Sequence, residues 1–207
     1  MAAAGGSPSE GTGDDVLRML RTGTADEHED VERTLDLMDP GLERARLAHV
    51  LDRLHGFWTA AEAGLDAWAE RHPADARELT WSRRRRADLF ADDLHALGAP
   101  GSDDLPRLPA VGATEAALGR MYVLEGSTLG GTFIDRHLAS LPQLADVRLR
   151  AFSPYGAQTG AMWHAFRGAT RAKVAAGADP AAVVAAARET FAVLAAWCRT
   201  PLPSVPG

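Results

Sequence analysis

One histidine in this sequence sits where an imidazole could do more than titrate in solvent. Leu17, Leu20, Thr24, His28, Val31, Leu35 and Met38 recur at steps of three and four, the apolar stripe of an amphipathic helix, and His28 lies in the middle of it. Glu32 follows four residues on and Arg21 precedes by seven, so both fall on nearly the same side of that helix. A second unusual stretch is Glu125-Gly126-Ser127-Thr128-Leu129-Gly130-Gly131. Glycines inside a helical pattern cost roughly 1 kcal/mol each relative to alanine. The apolar pattern nevertheless resumes with Phe133, Ile134 and Leu138, so the helix should continue through a bend or thin spot. Gly126 and Gly130 share one face, flanked by Ser127 and Gly131. Together they make a strip of bare backbone that a flat group could approach closely.

An imidazole on one helix and a side-chain-free strip on another suit a planar, mostly apolar cofactor held between them. Heme fits that description. A neutral histidine is a normal axial ligand for its iron, and the opposite side then needs room for dioxygen. Glu32 could accept a hydrogen bond from the second ring nitrogen and fix its orientation. Arg21 could reach a propionate. The same residues admit plainer readings. His28 could be a core or boundary residue, the glycine pair could allow close helix packing, and Arg21 and Glu32 could form a surface pair.

The elements that must position these groups read as helices. Prolines at 40, 73, 100, 106, 109, 142, 154 and 180 divide the chain into Ala/Leu/Arg/Glu-rich blocks, and few runs are β-branched or alternate with period two. Six main helices are expected, near 15–38, 41–71, 74–97, 111–140, 155–176 and 180–199, with Gly101 to Asp104 expected as a long loop. The fold class is all-α, one helical domain over 15–199, after a disordered leader over 1–14 and before an irregular tail over 200–207. With 207 residues, 46% of them hydrophobic, the chain can bury a sizeable core. A net charge of −6 argues against a general nucleic-acid binder. The single cysteine, Cys198, rules out an internal disulfide and fits a reducing compartment. No apolar run approaches the roughly 20 residues of a membrane span, and no secretory signal opens the chain. A cytoplasmic location without membrane attachment is expected.

The stretch Leu118-Gly119-Arg120-Met121-Tyr122-Val123-Leu124-Glu125-Gly126-Ser127-Thr128-Leu129-Gly130-Gly131 resembles the distal-helix signature of bacterial biliverdin-producing heme oxygenases, nearest to the branch that supplies bacteriophytochromes. Leu20-Arg21 through Thr24 to His28 and Glu32 is similar to that family's proximal segment. Leu54, Gly56-Phe57 and Glu62 resemble its second-helix pattern, and Trp163 and Phe166 its later aromatic segment. The resemblance implies a compact helical domain with heme between the first helix and a kinked distal helix. It implies His28 as iron ligand, Glu32 as its partner and Arg21 at a propionate. Gly126, Gly130 and Gly131 would pack over the heme. Heme would be both substrate and oxygen-activating cofactor. It would be opened to biliverdin, carbon monoxide and ferrous iron with electrons from an external donor of ferredoxin or flavin reductase type. A bacteriophytochrome would be a candidate acceptor of the biliverdin. Where many members carry an aspartate this chain has Ser127, shorter and neutral, which leaves its proton-delivery route open.

Several features lie outside that pattern. Arg83 to Arg86 reads as a solvated helix face, or else as a docking patch for an acidic redox partner. Arg167, four before Arg171, could line the propionate edge, and His164 reads as structural or surface. Asp52-x-x-His55 and Asp92-x-x-His95 have the spacing of di-iron bundles, without clear partner glutamates. A heme carrier or sensor, or a non-heme relative such as a thiaminase-like hydrolase or di-iron oxygenase, remain the alternative functions.

Overall fold

In the computed structural model, which describes residues 9–199 and side chains from Val16 onward, all regular structure is helical. The helices are α1 (Ser9–Gly23), α2 (Ala25–Leu35), α3 (Arg44–Arg71), α4 (Pro73–Glu78), α5 (Ala87–Ala96), α6 (Thr114–Ser140), α7 (Thr159–Ala175) and α8 (Pro180–Arg199). Short 3-10 turns at Trp81–Arg83, Pro142–Leu144 and Gly156–Gln158 join some of them. Of the leader expected over 1–14, residues 9–14 carry helical backbone and 1–8 lie outside the described residues, as does the tail 200–207.

Two expected helices are divided. The first breaks at Thr24, whose buried hydroxyl donates to the Leu20 carbonyl at 2.7 Å. The block expected over 74–97 stops at Glu78 and restarts at Ala87. Thr80 takes a left-handed conformation (φ 51°), and the backbone from Arg84 to Arg86 is not helical. In that irregular stretch successive side chains point to opposite sides. Arg83 and Arg85 are exposed while Arg84 and Arg86 are buried, so the four arginines are not the solvated helix face the sequence suggested. The new start of α5 is capped from another helix. Glu62 of α3 accepts the backbone N–H of Arg86 at 2.6 Å and of Ala87 at 3.0 Å. Burial raises the pKa of Glu62, against the pull of those two N–H groups.

α8 is the organising helix. It packs on α6, α2, α1 and α3, while α3 also carries α5 and α1 carries α7. By length and composition α8 could cross a membrane, contrary to the expectation that no such run exists. Here it contributes Val183, Ala187, Phe191, Leu194 and Ala195 to the core. α6 is the kinked helix. Ser127 and Thr128 within it donate to the carbonyls of Leu124 and Glu125, both at 2.7 Å.

Candidate functional site

Advancing 100° per residue brings Gly119, Gly126 and Gly130 to within about 20° of one line along α6. At Gly119 that line rests on α8, where a Cβ would lie 2.5 Å from the Val183 carbonyl oxygen and 2.7 Å from the Ala187 nitrogen. At Gly126 and Gly130 a Cβ would meet nothing within 4 Å. The face that is packed at one end of the helix is therefore open at the other. α8 runs on beside it and presents Phe191 and Leu194 to the opening. α2 also lies against α8, held there by the ion pair of Glu27 with Arg188 (2.6 Å), and does not pack closely on α6. The space left between α2 and α6 is a cavity of about 440 Å³, within the usual range of small-molecule sites.

The walls are mainly apolar. Val31 and Leu35 come from α2, Leu54 and Trp58 from α3, Phe90 from α5, Leu129, Phe133 and Ile134 from α6, and Trp163 from α7. Phe152 closes one side, and its segment is tied down by Asp93 of α5. That carboxylate accepts the N–H groups of Arg150 and Ala151 at 2.9 Å. The polar groups are few: His28, Glu32, Tyr122, Ser127 and Arg86. The His28 side chain is 54% exposed and meets the Phe191 ring edge-on at 5.7 Å. Its Nδ1 stands 3.7 Å from a Glu32 oxygen, within ion-pair range for a protonated imidazole but longer than a hydrogen bond. A flat apolar ligand fits this frame. It would find a bare helix face on one side and an imidazole on another wall.

The structure brings His28, Glu32, Gly126, Ser127 and Gly130 to one cavity. Gly131 is not part of it. A Cβ there would fall 1.8 Å from the Phe152 carbonyl oxygen, so this glycine admits the 150–153 segment against α6 rather than facing a ligand. Arg21 and Arg167 do not line the cavity either. Arg21 is exposed, although its charge is felt by Tyr122, whose phenol burial holds above the usual range. Arg167 is half-buried on α7.

The sequence reading missed Arg86, Trp58 and Tyr122 as wall residues. It also missed the support behind α6. There Glu125 pairs with Arg84, each about 1% exposed, and accepts the Tyr155 hydroxyl at 2.8 Å. Arg84 also donates to the Leu79 carbonyl at 2.7 Å. The only hint of this in the sequence was the break in helical pattern around the four arginines. The Asp52-x-x-His55 pair does other work, since Asp52 accepts the backbone N–H and hydroxyl of Ser102 at 2.6 and 3.0 Å. Among the described residues no group of three His, Cys, Asp or Glu is arranged to hold a metal ion.

Comparison with known proteins adds the family context. Residues 14–200 match the family described as heme oxygenase. A heme oxygenase of Xanthomonas campestris pv. campestris (strain 8004) is 32% identical over 146 residues, covering 70% of this chain and 84% of that one. Among solved structures, the NO- and CO-bound heme oxygenase of Neisseria meningitidis superposes with a TM-score of 0.72. It has 24% identity and covers 89% of this chain and 90% of that one. Heme oxygenase from Leptospira interrogans gives 0.69 at 16% identity, over 89% and 98% of the two chains. At those identities the two structures speak to the fold alone.

Proposed function

The chain belongs to the heme oxygenase family, and on that premise we propose that heme is held in the cavity between α2 and α6, with His28 as its iron ligand. The chain is an oxygenase acting on heme. The observation that carries the assignment of the site is the pair Gly126 and Gly130. They are the α6 positions where a side chain would enter open space, and they share their cavity with His28. When bound, heme supplies the iron at which dioxygen is activated and the ring that is opened, to biliverdin, carbon monoxide and ferrous iron.

The protein's own groups do the rest. His28 binds the iron. Glu32, one turn on, stands beside the imidazole and orients it. The α6 backbone at Gly126 and Gly130 comes close to the ligand because no side chain holds it off, and it restricts the direction in which a small group can lie. Phe90, Phe133, Phe152 and Phe191 exclude bulk water. Arg21, at the edge near Tyr122, serves a propionate. Arg167 serves the same end of the ligand from α7. Electrons come from an external protein donor of ferredoxin or flavin reductase type in the cytoplasm. Biliverdin passes to a bacteriophytochrome, a reading supported by the likeness of residues 118–131 to that branch.

The test is a heme titration followed by reductant in air. One heme should bind per chain with the spectrum of histidine-ligated ferric iron, and ascorbate or a ferredoxin system should convert it to a bilin. His28→Ala should lose turnover while retaining much of the heme affinity, because burial of an apolar macrocycle contributes roughly 25 cal/mol per Å² without any iron–nitrogen bond. Free imidazole should restore part of the activity. Full activity of His28→Ala without imidazole, or a heme that survives reductant and oxygen intact, would overturn the reading.

A further inference from the structure

The α6 side of the cavity holds a cation with no anion against it. Arg86 is 2% exposed. Its guanidinium donates to the Leu124 carbonyl, to the Ala151 carbonyl at 3.2 Å and to Ser127 Oγ at 2.8 Å, and it lies 4.9 Å from the centre of the Trp58 ring. Its Nε is buried without a hydrogen-bond partner, and so is the indole N–H of Trp58. Arg86, Trp58 and Ser127 all line the cavity. Among the described residues no carboxylate makes an ion pair with Arg86. The two nearby acids are engaged elsewhere, Glu62 with the backbone N–H groups at the start of α5 and Glu125 with Arg84 and Tyr155.

Arg84 shows what the ordinary solution looks like two residues away. That guanidinium is as deeply buried, but a carboxylate faces it and it lies outside the cavity. A buried charge without a counter-ion is expensive, and a fold that keeps one in a ligand pocket needs a compensating partner there. Burial opposes the charged form of Arg86, while the more distant charges of Glu125 and Glu62 favour it. A guanidinium does not give up its proton in proteins. The cavity wall therefore carries a full positive charge from Arg86, backed by two buried N–H groups without partners, beside the bare strip of α6. The chemistry that completes such a patch is a small anion.

We propose that Arg86, with Trp58 and Ser127, forms an anion-stabilising subsite on the α6 side of the heme cavity, and that Arg86 is a further functional residue of this oxygenase. Its charge makes that side of bound heme favour small anionic ligands over neutral ones of similar size. The proposal rests on heme occupying the cavity.

The experiment uses the ferric heme-loaded protein and compares azide, an anion, with imidazole, a neutral ligand, by optical titration. Replacing Arg86 itself risks the fold, since it also holds two carbonyls. Ser127→Asp avoids this by placing a carboxylate where the hydroxyl now meets the guanidinium. An opposite charge at that range is worth about one pKa unit or more. Neutralising Arg86 in this way should weaken azide binding about tenfold. Imidazole binding should change about twofold or less. Ser127→Asn, which changes the same contact without adding charge, is the comparator, and azide should bind about tenfold more weakly to the Asp variant than to it. Equal azide affinity in the Asp and Asn variants overturns the proposal, as does an Asp variant that loses imidazole and azide affinity alike. If neither parent nor variant shows histidine-ligated heme before any azide is added, the heme site itself falls, and that is seen in the first spectrum.

Discussion

Gly119 and Gly130 lie on the same face of α6, yet a methyl group at the first would strike the backbone of α8 and at the second would touch nothing. The two positions carry the same residue for opposite reasons. At Gly119 the missing side chain lets two helices meet at backbone distance, and the contact stabilises the fold. Eleven residues on, the same absence stabilises nothing within the chain and carries the helical penalty of glycine uncompensated. A fold retains an uncompensated cost where a ligand needs the room. The difference is one of neighbours: the backbone of α8 lies against Gly119, and the cavity lies against Gly126 and Gly130. Between them α6 is braced from behind by Glu125, which Arg84 and Tyr155 hold.

That brace offers the largest way to break the contrast. Glu125→Ala would leave the Arg84 guanidinium buried and unpaired, and loss of one partner of a buried pair costs about 3–5 kcal/mol. Urea denaturation should show the loss whether or not heme is present. A change of under about 1 kcal/mol would mean that the pair does not fix α6. Next in size is the packed glycine. Gly119→Leu forces a side chain into the Val183–Ala187 backbone and should cost about 2–3 kcal/mol, seen as a lower denaturation midpoint. A midpoint unchanged from the parent would mean that the seam is loose.

How far these regions could be read from sequence follows the same division. The stripe through His28 and the strip at Gly126 and Gly130 were legible because helical periodicity is local, although the stripe runs across the break at Thr24 that divides α1 from α2. Gly131 was misread as a ligand-facing glycine. Sequence shows that a side chain is absent but not what fills its place, and here the carbonyl of Phe152, twenty-one residues away, does so. The four arginines were misread for a related reason. Their run looks helical, but Thr80 turns the chain and α5 takes its cap from Glu62 on another helix, which no local pattern reports. Arg86 therefore surfaced as a wall residue only in three dimensions.

Gly130→Leu sharpens the contrast with Gly119 most directly. Leucine is the better helix former by somewhat less than the about 0.8–1.0 kcal/mol that separates glycine from alanine, and nothing within 4 Å opposes a first carbon there. Without heme the variant should be as stable as the parent or slightly more so. With heme, turnover should fall by an order of magnitude or more, since the added side chain enters the space assigned to the ligand (an estimate from roughly 1.4 kcal/mol per tenfold in rate). Biliverdin formation at the parental rate would show that Gly130 does not face the ligand. Equal destabilisation at Gly119 and Gly130 would remove the distinction between the two halves of the helix.

Ser127→Ala should have the smallest effect, and the reason separates a hydroxyl from the charge behind it. Ser127 Oγ donates to the Leu124 carbonyl at 2.7 Å and accepts from Arg86 at 2.8 Å. Neither neighbour is orphaned when the hydroxyl goes. The Leu124 carbonyl keeps its bond from Arg86, and Arg86 keeps the carbonyls of Leu124 and Ala151. One neutral hydrogen bond is worth about 1 kcal/mol, and alanine recovers part of that as the better helix former. A water can take the vacated place at the cavity wall and bridge to Arg86 at little cost. The positive charge beside the bare strip is thus unchanged, and single-turnover bilin formation should slow by no more than about threefold, under 1 kcal/mol of barrier. Ser127→Ala falling to the level of His28→Ala would show that the hydroxyl itself moves the essential proton. The charge of Arg86 would then be secondary to it.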